Sequence, residues 1–215
     1  MAQRTIHYLL GEIFSEQVEI KNKQRFLLGS VLPDAYADVC DRNKTHFKRK
    51  MEETNQICFD FDSFKEQYFE LIQKDDLYLG YYMHLVEDAF YREYIYCGRF
   101  KMPCSKEEVA ILHNNYHILN NYIVKKYNIH NIIEKPADFH KEPLCNIAAF
   151  KVNEFIDDMS CDFTEKTSGK TIFVTEGMLD EFIDTYAEKG IEELKSIQNG
   201  KPFLKAVDLA YPINR

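Results

Sequence analysis

The sequence predicts an all-α fold, and three observations carry the prediction. Apolar residues recur at helical spacing through most of the 215 residues. The run 77–96 is apolar on nearly every face, as a helix buried on all sides must be. Strand signals are weak, the best being the short "KTIFV" at 170–174. The expected organisation is a metal-binding helical core over 1–128, with a mixed, mainly helical extension over 129–215 packed on the same domain. A chain of this length can bury a sizeable core.

Taken in order, residues 4–14 read as a short amphipathic helix and 21–30 as another, ending near Gly29. "GSVLPDAY" breaks the pattern at Pro33, because the residue before proline is pushed out of the α region. Residues 44–54 and 62–74 read as helices with polar faces, and the buried helix follows. "CGRFKMPCS" (97–105) reads as loop. Ser105 with Glu108 three residues on forms a capping box, opening a helix on which Val109, Leu112, Tyr116, Leu119, Ile123 and Tyr127 keep helical spacing. The stretch 129–170 is mixed, interrupted by Pro136, Pro143 and "TEKTSGKT". Thr175 or Glu176 starts a last helix with acidic residues early and lysines late, as the helix dipole favours.

Charge and cysteine usage exclude several classes. The net charge is −8, with −6 of it in residues 131–215, so no strong nucleic-acid signal is present. No uncharged apolar stretch of membrane-spanning length occurs. The N-terminus reaches Glu12 before a signal-peptide core of adequate length is built. The six cysteines form no C-x-x-C pair, and reduced thiols in a cytoplasmic protein are the expectation. Nothing in the sequence specifies the oligomeric state.

The chemistry-bearing residues begin with "LGYYMHLVEDAFYREYIY" (79–96). Gly80, His84, Asp88 and Arg92 lie four apart on one stripe of a buried helix. An ionised carboxylate there costs on the order of several kcal/mol unless it is paired or bound to a cation. Two readings follow: a hydrogen-bonded His84–Asp88 pair with Arg92 supplying charge, or ligation of a divalent cation. His7 lies on a helix among Ile6, Leu9 and Leu10, and Asp34 follows Pro33 where a loop can aim a carboxylate inward. His46, beside the basic "KRK", reads locally as exposed. His113 and His117 form an i,i+4 pair, an arrangement that serves zinc on helices and equally the polar edge of an amphipathic helix. His130 and His140 read as surface residues. Imidazole and carboxylate suit Zn²⁺, with Fe and Mn as competitors. No histidine has Glu three residues before it and no His-Asp dipeptide occurs, which disfavours two helical metalloenzyme classes.

An N-terminal helix histidine, then "LGSVLPD", a histidine twelve residues after Asp34, and "LGYYMHLVED" together resemble the zinc-dependent phospholipase C family, related to the single-strand-specific zinc nucleases. The resemblance spans roughly residues 1 to 127 and implies an all-helical bundle holding one to three zinc ions. Carried over by position, it implies Asp34, His46, His84 and Asp88 as ligands of one zinc, with Asp88 bridging to a second ion that His7 also binds. His113 stands at the first position of the family's His-x-x-x-Glu pair and His117 in place of the Glu. Tyr94 stands where the family has a further histidine. The implied activity is phosphoester hydrolysis by metal-activated water, with Asp34 as general base as well as ligand and Arg92 as a phosphate contact. The substrate is then a small phosphoester or a phospholipid head group. The alternative is a non-catalytic helical module with a structural or degenerate metal site, binding a protein partner.

Overall fold

Packing on every side is what a helix apolar all round requires, and α5 (Asp76–Tyr91) has it: all sixteen of its residues are buried. The computed structural model describes residues 2–97, 105–164 and 166–213. Before α5 come α1 (Arg4–Gln17), α2 (Lys23–Val31), the short α3 (Arg42–Thr45) and α4 (Phe61–Ile72). After it come α6 (Lys106–Tyr127), α7 (Val152–Thr164) and α8 (Glu176–Gln198). The fold is all-α apart from a small antiparallel sheet in the order β1 (Lys48–Met51), β2 (Gln56–Phe59), β3 (Tyr211–Pro212). No helix among the described residues is long and apolar enough to cross a membrane.

Helix α2 approaches α5 more closely than any side chain would permit. A Cβ on Gly29 would lie 2.1 Å from the Leu77 carbonyl oxygen, and one on Gly80 2.2 Å from the Phe26 carbonyl oxygen. The glycines therefore set the crossing, backbone against backbone. Elsewhere α5 is held by side chains. Phe64 of α4 stacks on Tyr81 with ring centroids 4.7 Å apart, and Tyr82 donates a hydrogen bond to Glu193 of α8 at 2.6 Å. Glu193 is itself fully buried, and its other oxygen accepts from the Phe203 and Leu204 amides. One hydrophobic core runs from Ile6 and Phe26 through Leu85 to Phe182 and Ile197, so residues of the C-terminal stretch pack on the same core as α5.

Helix ends follow the capping chemistry of the sequence. Ser105 and Glu108 form the reciprocal capping box at α6, and Thr175 accepts from the Met178 amide at the start of α8. Asp75 caps α5 and also holds Arg25 of α2 in a two-pronged ion pair at 2.7 and 2.5 Å.

Three expectations need correction. Residues 44–54 are not a helix: α3 ends at Thr45, and β1 and β2 form a hairpin around a turn at 52–55 in which Asn55 takes a left-handed φ of 51°. The polar run "KRKMEETNQ" carries no apolar stripe, whereas "ICF" pairs with β1 and buries Cys58 and Phe59. "KTIFV" is not a strand. The amides of Ile172 and Phe173 both donate to the Asn115 side chain, so no ladder forms. Within 129–170 lies a full helix, α7, with Val152, Phe155, Ile156 and Met159 buried at 3.6-residue spacing. Most of the expected loop at 97–105 lies outside the described residues; α5 passes into a π-helical turn, Arg92–Cys97.

Gly80→Ala forces α2 and α5 apart. Overpacking of this kind costs about 1–3 kcal/mol, so the melting temperature should fall by about 3–10 °C, measured by calorimetry. An unchanged melting temperature would mean that the crossing tolerates a methyl group and is not set by the glycines.

Candidate metal centre

Four elements deliver five polar side chains to one buried place. α1 brings His7, and α5 brings His84 and Asp88, one turn apart. Pro33 ends α2 in a 3-10 turn, Leu32–Asp34, which supplies Asp34. His46 follows the last residue of α3. His7, His46, His84 and Asp88 have no exposed surface, and Asp34 retains only a little. The local reading of His46 as an exposed neighbour of basic residues is thereby overturned: α3 turns its ring inward while "KRK" stays on the hairpin.

The distances within the cluster are longer than hydrogen bonds. His46 Nε2 lies 3.3 Å from Asp34 Oδ1 and 3.7 Å from Asp88 Oδ2; His84 Nε2 lies 3.8 Å from Asp88 Oδ2. His7 Nε2 lies 3.6 Å from the other oxygen, Asp88 Oδ1. The Nε2 atoms of all three histidines and Asp88 Oδ2 are buried without a hydrogen-bond partner among the described residues. Two ligands held tetrahedrally at about 2.1 Å from one ion would stand about 3.4 Å apart. The observed spacing would let these atoms hold a metal ion.

The outer nitrogens of the His84 and His46 rings are satisfied. His84 Nδ1 donates to the Ser30 carbonyl and His46 Nδ1 to the Arg42 carbonyl, each at 2.8 Å. A carbonyl only accepts, so each Nδ1 carries a hydrogen, and in the neutral ring each Nε2 presents a lone pair to the cluster. His7 Nδ1 faces Glu87 Oε2 at 3.0 Å. Glu87, buried beside this cluster, is not among the residues singled out from the sequence. A carboxylate inside an apolar run raises the same question as Asp88, and that was the available signal. Asp88 Oδ1 also accepts the Ala2 amide at 2.8 Å.

Electrostatics separate the groups. Burial pushes the Asp34 carboxyl up, but the neighbouring His46, His84 and His7 rings outweigh it and hold the group far below the ordinary range. Asp88 is also held low, with burial opposed by its surroundings, the His7, His84 and His46 rings among them. Burial pushes Glu87 up. Burial and the nearby His7 push His84 down to about 3. His7 is raised to about 9, burial being outweighed by Glu87 and the other carboxylates. The rings of His7 and His84 stack with centroids 3.7 Å apart, a contact that disfavours two positive charges.

Two groups of three can hold a metal ion: His7, Asp34 and His84, and His46, His84 and Asp88. One imidazole nitrogen binds one ion, so the two groups describe one centre through the residue they share, His84. His113 and His117 belong to neither group among the described residues. Both are exposed on α6, in the wall of a cavity of about 660 Å³ that Asp34 also lines. Arg92 lines the same cavity, its guanidinium 4.4 Å above the Tyr211 ring. Tyr94 packs near Phe182. His130 and His140 are exposed, and the five described cysteines are free. Compared with protein-family models, curated proteins and solved structures, the chain matches none.

The metal-free protein has a pH signature. His7 is raised above its unfolded value near 6.5, so its stabilising contribution is present below pH 6.5 and lost as pH rises through about 9. In chelator, stability should decline over that interval, and Glu87→Gln should flatten the decline; chemical denaturation at several pH values measures both. Adding a divalent cation should raise stability, by about 4 kcal/mol at a thousandfold excess over Kd.

Proposed function

We propose that the protein is a zinc-dependent phosphoester hydrolase. The observation that supports this reading most is the convergence of three histidine Nε2 atoms and two carboxylates at ligand-to-ligand spacing, beside a cavity lined by cations. Imidazole and carboxylate are borderline-to-hard donors suited to zinc, and the arrangement agrees with the ligand set that the phospholipase C resemblance implies.

Zinc, when bound, supplies Lewis-acid polarisation of a phosphoryl oxygen and lowers the pKa of a water to about 7. The protein supplies the rest. His46, His84 and Asp88 Oδ2 face one another, while Asp88 Oδ1 faces His7, so the two oxygens of a single carboxylate serve different histidines. Asp34 alone among the five lines the cavity, where substrate and water arrive. Its depressed pKa keeps it ionised and able to orient a nucleophilic water and take up its proton. Arg92, fixed over Tyr211, presents a planar fork to phosphate oxygens. His113 and His117, across the cavity, contact the substrate side rather than the buried centre.

The experiment is metal content by inductively coupled plasma mass spectrometry on protein purified without chelator or a histidine tag, followed by turnover of bis(4-nitrophenyl) phosphate. The expected result is at least one equivalent of zinc, lost in a His84→Ala/Asp88→Ala variant. Asp34→Asn should lower kcat by about 10²–10⁴-fold. Absence of metal even after zinc is added back would make the cluster a buried polar network and end the hydrolase reading. Metal present without turnover of any phosphoester would favour a structural centre.

A further inference from the structure

Two adjacent residues of α5 take the His7 ring between carboxylates. A step of one residue turns a helix by about 100°, so Asp88 and Glu87 reach the ring on different sides. Asp88 Oδ1 lies 3.6 Å from Nε2, and Glu87 Oε2 lies 3.0 Å from Nδ1. Ring and carboxylates are all buried, Glu87 at 2% exposure and His7 and Asp88 at none. The other two imidazoles of the centre are fixed through neutral carbonyls, that of Ser30 for His84 and that of Arg42 for His46. Of the three rings, His7 is the one whose outer nitrogen faces a charge.

Glu87 depends on that ring in turn. Its Oε1 is buried without a hydrogen-bond partner, and among the described residues its one ion-pair contact is His7. An enclosed carboxylate costs on the order of several kcal/mol unless positive charge is at hand. A cation held at Nε2 leaves the single ring hydrogen on Nδ1, where Glu87 Oε2 is the acceptor within reach. A carboxylate behind a ligating imidazole fixes its tautomer and makes it a stronger donor, more so than a neutral carbonyl does. Glu87 is not among the residues lining the cavity, so this role is separate from any contact with substrate.

We infer that Glu87 is a positioning residue of the metal centre: its carboxylate holds the His7 hydrogen on Nδ1, so that Nε2 is presented to the ion, and its charge strengthens His7 as a ligand. The inference rests on the metal-dependent reading of the centre and adds to it a residue outside the five ligand candidates.

The test compares the full chain with its Glu87→Gln and Glu87→Leu variants. Gln keeps an oxygen that can accept from Nδ1 but lacks the charge; Leu lacks both. Competition with a chromogenic chelator reads zinc affinity, and proton NMR in water reads the exchangeable imidazole hydrogens of the zinc-loaded protein. Loss of such an outer partner weakens metal binding about 10–100-fold, so Glu87→Leu should fall in that range and Glu87→Gln should lose about three- to tenfold. The Nδ1 hydrogen of His7 should shift or disappear in the Leu variant, while those of His46 and His84 keep their positions on their carbonyls. A residue that only supports the fold would not single out one ring. The near-isosteric Gln variant must show its loss whether or not the Leu variant folds. Zinc affinity unchanged in Glu87→Gln overturns the inference, and so does a shift of all three imidazole hydrogens together. Zinc absent from the unaltered protein overturns the metal reading and the inference with it. The expected affinities and spectra with no phosphoester hydrolysed support the role of Glu87 and overturn the hydrolase reading alone.

Discussion

The contact between α2 and α5 through Gly29 and Gly80 is the constraint on which the rest of the molecule depends. Because neither glycine has a side chain, the two backbones meet, and the residue after Gly29 is brought against α5. That residue is Ser30, whose carbonyl belongs to the last turn of α2, where backbone acceptors lack intrahelical partners. Pro33 has no N–H to offer α2 and the chain leaves in a 3-10 turn. The Ser30 carbonyl accepts from His84 Nδ1 instead, which fixes the tautomer of the ring and turns its other nitrogen to the cluster. A packing feature of two helices thus decides the protonation geometry of a candidate ligand.

The same exit from α2 places Asp34, and the C-terminal part of the chain holds it there. The Ala37 amide donates to the Ala149 carbonyl and the Lys151 amide to the Ala35 carbonyl, a short antiparallel clasp beside Asp34. α1 is tied on its other flank: Arg4 to α7, and Thr5 to Asn120 of α6 at 2.7 Å. Residues beyond 129 therefore position the side chains that the first 128 supply. A centre built from α1, the α2 exit, α3 and α5 needs such external ties, because the two carboxylates and Glu87 repel one another in the absence of a cation.

Much of this was legible in the sequence, for identifiable reasons. α5 announced itself because an apolar run with His84 and Asp88 on one stripe has few physical solutions. Asp34 was legible because Pro33 breaks a helix at that point and leaves the next side chain free to turn. The capping residues Ser105 and Thr175 act through neighbours three residues away, within range of a local reading. The failures are equally specific. His46 is set by the inward turn of α3, which local composition contradicts. The hairpin over 48–59 depends on pairing with residues 211–212, more than 150 positions away. In α7 the spacing of Val152, Phe155, Ile156 and Met159 was present and was masked by the prolines and polar residues around it. "KTIFV" has strand-like side chains, but Asn115 takes two of its amides.

The centre and the cavity divide the work of recognition between two kinds of environment. Inside, charge is compensated at fixed distances: three imidazoles whose outer nitrogens face carbonyls or Glu87, and two carboxylates kept ionised by their surroundings. Such a site discriminates by coordination number and donor type, and hardly by the shape of what is bound beyond the phosphorus. Outside, the wall of the cavity is half exposed, and its cations act through a field over several ångströms rather than through single contacts. Asp34 belongs to both environments, joined to His46 on one side and open to the cavity on the other. Removing its charge would alter the centre and the entrance together.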